Sequence, residues 1–94
     1  ESRRKAIALF KALNEAQELV ENQGETDPAM VELAMQRVLE THGLSVDYAT
    51  IRHPHTLAKL DSISPQTTHG VVALITARIG GVRLLDNRVL GRGG

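Results

Sequence analysis

Two arginines bracket a pair of glycines in Arg78-Ile79-Gly80-Gly81-Val82-Arg83. Gly-Gly between apolar runs signals a two-residue hairpin, because both central positions of a type I′ turn need positive φ. A hairpin closed there sets Ile79 opposite Val82 and Arg78 opposite Arg83, and like charges face to face are unfavourable. An anion or a carboxylate would neutralise the pair, with Asp86 and Asp47 as the candidate internal partners. The alternatives are that both stems lie over apolar surface with their guanidiniums in water, or that the register differs.

A second group is His53-Pro54-His55. Two imidazoles on a turn invite zinc, which would need a third ligand such as His69 or Asp61. Two histidines flanking a proline are equally well plain polar loop residues. The sequence has no Cys, which removes thiolate metal sites, thiol nucleophiles and disulfides. No Ser, His and Asp set has nucleophile-elbow spacing, and no phosphate-cradling Gly loop precedes a helix. The residues alone therefore assemble no catalytic site.

The elements that position these groups follow from periodicity. Ala6, Leu9, Phe10, Leu13, Ala16 and Val20 recur at three- and four-residue spacing and predict an amphipathic helix over 2–22, with Gly24 at its C-cap. Asp27 as N-cap and Pro28 at the first helical position start a second helix. Val31, Ala34, Met35 and Val38 form its stripe, Leu39 lies beside it, and Gly43 ends it. The period then changes to two, with Leu44, Val46 and Tyr48 alternating against Ser45, Asp47 and Ala49, so a half-covered strand is expected. The alternation breaks before Ile51, and the chain must turn at His53-Pro54-His55. Ser62 to Gly70 is expected to be a loop. Val71 to Ile79, apolar on both alternating faces, predicts a central strand, and Val82 to Asp86 the return strand. Asp86-Asn87 predicts a further turn, with Arg88 to Leu90 as a candidate edge and a mobile tail beyond it. The fold class expected is α+β: two N-terminal helices packed on a small, mostly antiparallel sheet, all within one domain spanning 1–94.

Composition narrows the function classes. The 94 residues carry eleven basic and eleven acidic side chains, a net charge of zero, which argues against a nucleic-acid binder. One Tyr, one Phe and no Trp leave no base-stacking platform. The longest apolar run, Val71 to Ile75, is far short of the ~20 residues a membrane span needs, and no basic-then-apolar leader is present. A cytoplasmic domain with no membrane partner is expected. Neutrality hides an asymmetry: residues 1–47 hold nine acids and five bases, whereas 48–94 hold two acids and six bases. Either two charged faces attract one another across the domain, or an electropositive face meets an anion or an acidic partner.

The second half resembles a known family. Val46-Asp47-Tyr48, Ile51, Thr56-Leu57 and Leu60-Asp61 have the order and spacing of a stretch in pantothenate synthetases, the pantoate–β-alanine ligases. Ala77-Arg78-Ile79-Gly80 and Arg83-Leu84-Leu85-Asp86-Asn87 resemble that family's C-terminal signature, so Asp47, Tyr48, Asp86 and Asn87 form its structural part. The helical half matches in layout, with the turn Gly24-Glu25-Thr26-Asp27 between its helices, and the likeness spans roughly residues 1–91. His53-Pro54-His55 departs from the pattern, which more often has an acidic residue beside this turn.

The resemblance implies the smaller C-terminal domain of a two-domain enzyme. The larger N-terminal domain of such enzymes is a Rossmann-like nucleotidyltransferase that holds ATP, pantoate and Mg²⁺, and its His-x-Gly-His motif is not found here. The family's Ser-Ser-Arg-Asn junction motif falls before the position matching Glu1, so no catalytic role transfers to Ser2 or Arg3. The implied reaction joins pantoate to β-alanine through a pantoyl adenylate, with ATP as the activating substrate. This chain's expected part is a lid, inactive alone, that closes over the site and excludes water. Arg78 and Arg83 are the residues expected toward the N-terminal domain or the nucleotide, with stabilisation of the fold through Asp86 as the competing role. A stand-alone interaction module docking through its charged faces is the alternative from another class, and a small enzyme built on His53, His55 and Asp61 is a third.

Overall fold

Alanine decides how the first helix lies. In the computed structural model, which describes residues 2–63 and 70–90 with side chains from residue 7 onward, helix α1 (Ser2–Gln17) buries Ala8, Leu9, Ala12, Leu13 and Ala16. Phe10, expected on the buried stripe, is instead 57% exposed. Periodicity weights a large apolar ring above an alanine, whereas packing favours the three small residues that let the helix approach its neighbours closely. The side chain of Ala6, also expected on the stripe, lies outside those described. The last turn, Glu18–Asn22, is π-helical. Leu19 and Val20 in this turn both pack, partly buried, against the core.

Helix α2 (Pro28–Thr41) begins as its sequence indicates, with the Asp27 carboxylate accepting from the Ala29 N–H at 3.0 Å and Pro28 at the first helical position. It buries Val31, Met35 and Leu39. Its end is a Schellman motif: Gly43, at φ +85°, donates to the Glu40 carbonyl at 2.9 Å, and Leu44 donates to the Leu39 carbonyl at 3.1 Å. The hydrophobic contact that completes this motif is supplied by Leu39 and Leu44, both buried.

The sheet follows, with strands β1 (Ser45–Arg52), β2 (Val71–Ile79) and β3 (Val82–Leu90) in the order β1-β2-β3, antiparallel throughout. Both helices cover one face, where Ile51, Val71, Ala73, Ile75, Ala77 and Leu90 join the helical residues in one core. The α+β fold expected from the sequence is the fold observed. Two boundaries differ. β1 runs on through Ile51, because the break in alternation is a bulge at Asp47 and not a strand end: Val46 pairs with Ala77 and Tyr48 with Thr76, leaving Asp47 unpaired between them. β3 passes straight through Asp86-Asn87, expected to turn, since these residues pair with Ile75 and Leu74 in continuous register. Pairing along β2 outweighs the turn preference of an Asp-Asn step.

One backbone group on the outer edge of β1 is bonded from α2. The Glu32 carboxylate accepts from the Ile51 N–H and the Thr50 hydroxyl, both at 2.9 Å. This contact ties α2 to β1 through a neutral hydroxyl and a backbone amide, without a basic side chain. Among the described residues no helix is long and apolar enough to cross a membrane.

Candidate interface on the open sheet face

The glycine turn closes as the sequence indicated. Gly80 and Gly81 take φ +57° and +82°, Ile79 pairs with Val82, and Arg78 lies directly opposite Arg83. The neutralising group is Asp47. One of its carboxylate oxygens, Oδ2, stands 3.0 Å from Arg78 Nε and 3.5 Å from Arg83 Nε. The bulge makes this possible, because the extra residue lets Asp47 reach the face its neighbour Tyr48 also occupies. Asp86, the other candidate partner, takes no part in this cluster: its Oδ1 accepts from the Asn87 N–H at 2.8 Å, and its register partner is Ile75 on the helix-covered face. The stabilising carboxylate is therefore Asp47. One carboxylate shared by two guanidiniums leaves a local excess of one positive charge.

This cluster rims the face of the sheet that the helices leave open. Alternation along the strands puts Tyr48, Thr50 and Arg52 of β1, Val72, Leu74, Thr76 and Arg78 of β2, and Arg83, Leu85, Asn87 and Val89 of β3 on that face. Tyr48, Leu85 and Val89 are 47%, 67% and 43% exposed. Tyr48 was expected to share a face with Val46, and the bulge between them separates the two. An apolar sheet face with a cationic rim has the composition of a docking surface.

Thr76 lies at the centre of this face, between Tyr48 and Leu85 in the register. It is 2% exposed, and its hydroxyl has no hydrogen-bond partner. An unpaired buried hydroxyl costs about 1–3 kcal/mol. Thr76→Val is accordingly expected to raise the thermal midpoint of this chain by several degrees. Calorimetry on the two chains checks this, and a lowered midpoint would mean that the hydroxyl is satisfied after all.

The histidine turn is structural in geometry. His53 Nδ1 faces the His55 and Thr56 N–H groups at 3.1 and 3.3 Å, and its acceptor tautomer caps the turn. Leu57 closes the turn at φ +61°, donating to the His53 carbonyl at 2.9 Å. His69, the proposed third ligand, lies outside the described residues. Among those described, no three His, Asp or Glu side chains gather where a metal ion could sit.

Sequence reasoning missed Arg88, whose Nη1 donates to Asn14 Oδ1 at 2.7 Å and Gln17 Oε1 at 3.0 Å while its guanidinium lies 5.3 Å from the Phe10 ring centroid. This contact ties β3 to α1 across more than seventy residues of chain. It explains why Phe10 is held outside the core. No local pattern could reveal it. Thr76 did carry a signal, as the one hydroxyl inside the apolar run from Val71 to Ala77.

Known proteins resemble this chain in sequence and in fold. The family model for pantoate-beta-alanine ligase matches residues 1–89. The chain belongs to the pantoate–β-alanine ligase family. Pantothenate synthetase of Desulfatibacillum aliphaticivorans is 37% identical over 90 residues, and that of Gluconobacter oxydans 41% over 91 residues. Each alignment covers 96% of this chain and 31% of the relative, so the chain spans about a third of the length of these proteins. The crystal structure of pantothenate synthetase from Thermus thermophilus superposes with a TM-score of 0.77 at 29% identity, over 94% of this chain and 30% of that one.

Proposed function

We propose that this chain acts as the C-terminal lid of an ATP-dependent pantoate–β-alanine ligase in the cytoplasm. The observation that carries the reading is the family match over nearly all of a chain that spans only about a third of its relatives. The larger remainder then supplies most of the substrate contacts. In the proposed reaction the pantoate carboxylate attacks the α-phosphate of ATP, releasing pyrophosphate and leaving pantoyl adenylate. The β-alanine amine next attacks the activated acyl carbon, and AMP departs. An acyl adenylate is exposed to hydrolysis, and a closing domain protects it by excluding water and holding the second nucleophile near the acyl carbon.

Arg78 and Arg83 face the nucleotide-binding part in this reading. Arg83 is the looser of the two, at 3.5 Å from Asp47 and with 58% of its side chain exposed, so it is the better placed to meet an incoming phosphate. In the complete ligase Arg83→Ala is expected to raise the KM for ATP on the order of tenfold with an unchanged thermal midpoint. A lowered midpoint at unchanged KM would assign Arg83 to the fold instead. The function as a whole is tested by deleting the codons for this segment and plating the strain with and without pantothenate. A growth requirement relieved by pantothenate supports the ligase reading. Growth without pantothenate, in a strain with no second ligase, would overturn it in favour of a docking module.

A further inference from the structure

The open sheet face carries a second pair of cations set against each other. Beyond β1 the chain turns at Pro54 and runs back along the strand, and Lys59 forms an antiparallel bridge with Arg52. The His53 N–H donates to the Ala58 carbonyl at 3.0 Å, so Arg52 and Lys59 are a non-hydrogen-bonded pair, the closer of the two antiparallel kinds. Their Cβ atoms then stand about 5 Å apart on one face, and like charges so placed repel. At the other end of the sheet Asp47 neutralises the corresponding pair, Arg78 and Arg83. Here no carboxylate does so: neither Arg52 nor Lys59 forms an ion pair with any described residue, Asp61 included. The turn adds no acid, because histidines flank Pro54 on both sides.

The guanidinium of Arg52 is nevertheless held in place. Its Nε donates to Thr50 Oγ1 at 3.0 Å, and the Thr50 hydroxyl gives its one proton to the Glu32 carboxylate at 2.9 Å. Glu32 therefore reaches Arg52 only through a neutral hydroxyl, and it is itself anchored by the Ile51 N–H. Arg52 is half-buried and Lys59 is exposed. Fixing Nε leaves the two Nη groups, which have no partner among the described residues. We propose that Arg52 and Lys59 form a binding site for the phosphoryl group of a small phosphorylated molecule. The guanidinium fork supplies parallel N–H bonds to two oxygens, and the ammonium meets a third. A carboxylate has only two oxygens, which the fork alone would occupy. A phosphate monoester carries about −1.5 to −2 near neutral pH, a match for two cations that pair with no acid. The site lies roughly 20 Å along β2 from the Arg78 and Arg83 cluster. It does not depend on the ligase reading.

Titration of the 94-residue chain with inorganic phosphate, followed by proton–nitrogen correlation spectra that include the arginine Nε–H signals, tests this. Ionic strength is held constant with sodium chloride, and circular dichroism melts control for the fold of each variant. Saturable shifts centred on Arg52 and Lys59 are expected. Arg52→Gln should raise the dissociation constant at least about tenfold, and Lys59→Gln, at an exposed position, about threefold. Thr50→Val keeps both charges but removes the oxygen that holds the guanidinium, and should weaken binding about fivefold. His53→Asp supplies a carboxylate that can still accept from the His55 and Thr56 N–H groups, and should weaken binding by a similar factor. Shifts that follow ionic strength alone, or that are indifferent to Arg52→Gln and Lys59→Gln, would overturn the proposal. So would saturable shifts centred on Arg78 and Arg83 instead, or acetate binding at Arg52 as tightly as phosphate.

Discussion

Ile75→Ala is expected to destabilise this chain by about 2–5 kcal/mol and to lower its thermal midpoint by more than about 10 °C. Ile75 sits at the middle of the central strand, 1% exposed, with Ala49 and Asp86 as its cross-strand partners and the two helices over it. Its small neighbours, Ala73 and Ala77 on the same face of β2, cannot expand into the space that truncation leaves. The cavity would therefore persist, and the lost transfer energy and the cavity term would add. Domains of this size are stable by only about 5–15 kcal/mol, so a fraction of the variant is expected to unfold near physiological temperature. Leu85→Ala is the matched control. It removes a similar side chain from the opposite face of the same sheet, where Leu85 is 67% exposed, and should leave the midpoint nearly unchanged. Equal losses from the two variants would contradict the assignment of one covered and one open face.

Gly81→Val is expected to destabilise the hairpin, and Gly81→Asn to do so far less. Gly81 has φ +82°, and a Cβ added there would meet nothing within 4 Å. The cost is thus conformational and not a clash with neighbours. A left-handed conformation costs an L-residue roughly 1–2 kcal/mol, and β-branching stiffens it further, whereas Asn visits this region readily. The turn also holds Arg78 opposite Arg83, within reach of the one carboxylate of Asp47. A valine that forces a different turn would shift this register and disperse the charge cluster. Urea titration of the three chains, Gly, Asn and Val, should rank them in that order. A valine variant as stable as the parent would show that the turn adopts another conformation.

Residue chemistry alone determined the punctuation of this chain. Asp27-Pro28 starts α2, Gly43 ends it, and Gly80-Gly81 joins β2 to β3 with Arg78 opposite Arg83. Each is legible because it depends on the backbone of a few consecutive residues: a side-chain oxygen near free amides, a ring that fixes φ, a missing Cβ that permits positive φ. The signature around Arg83-Leu84-Leu85-Asp86-Asn87 also pointed to the family to which the chain belongs. Only the tertiary structure decided which side chains meet. The choice between Asp47 and Asp86 turned on a bulge whose trace in the sequence, a lapse in alternation after Tyr48, looks the same as a strand end. The Asp-Asn step became strand because β2 offered a complete ladder, and α1 turned Phe10 outward because three alanines packed better and Arg88 held the ring. These outcomes depend on partners far away in the chain, and local periodicity carries no information about them.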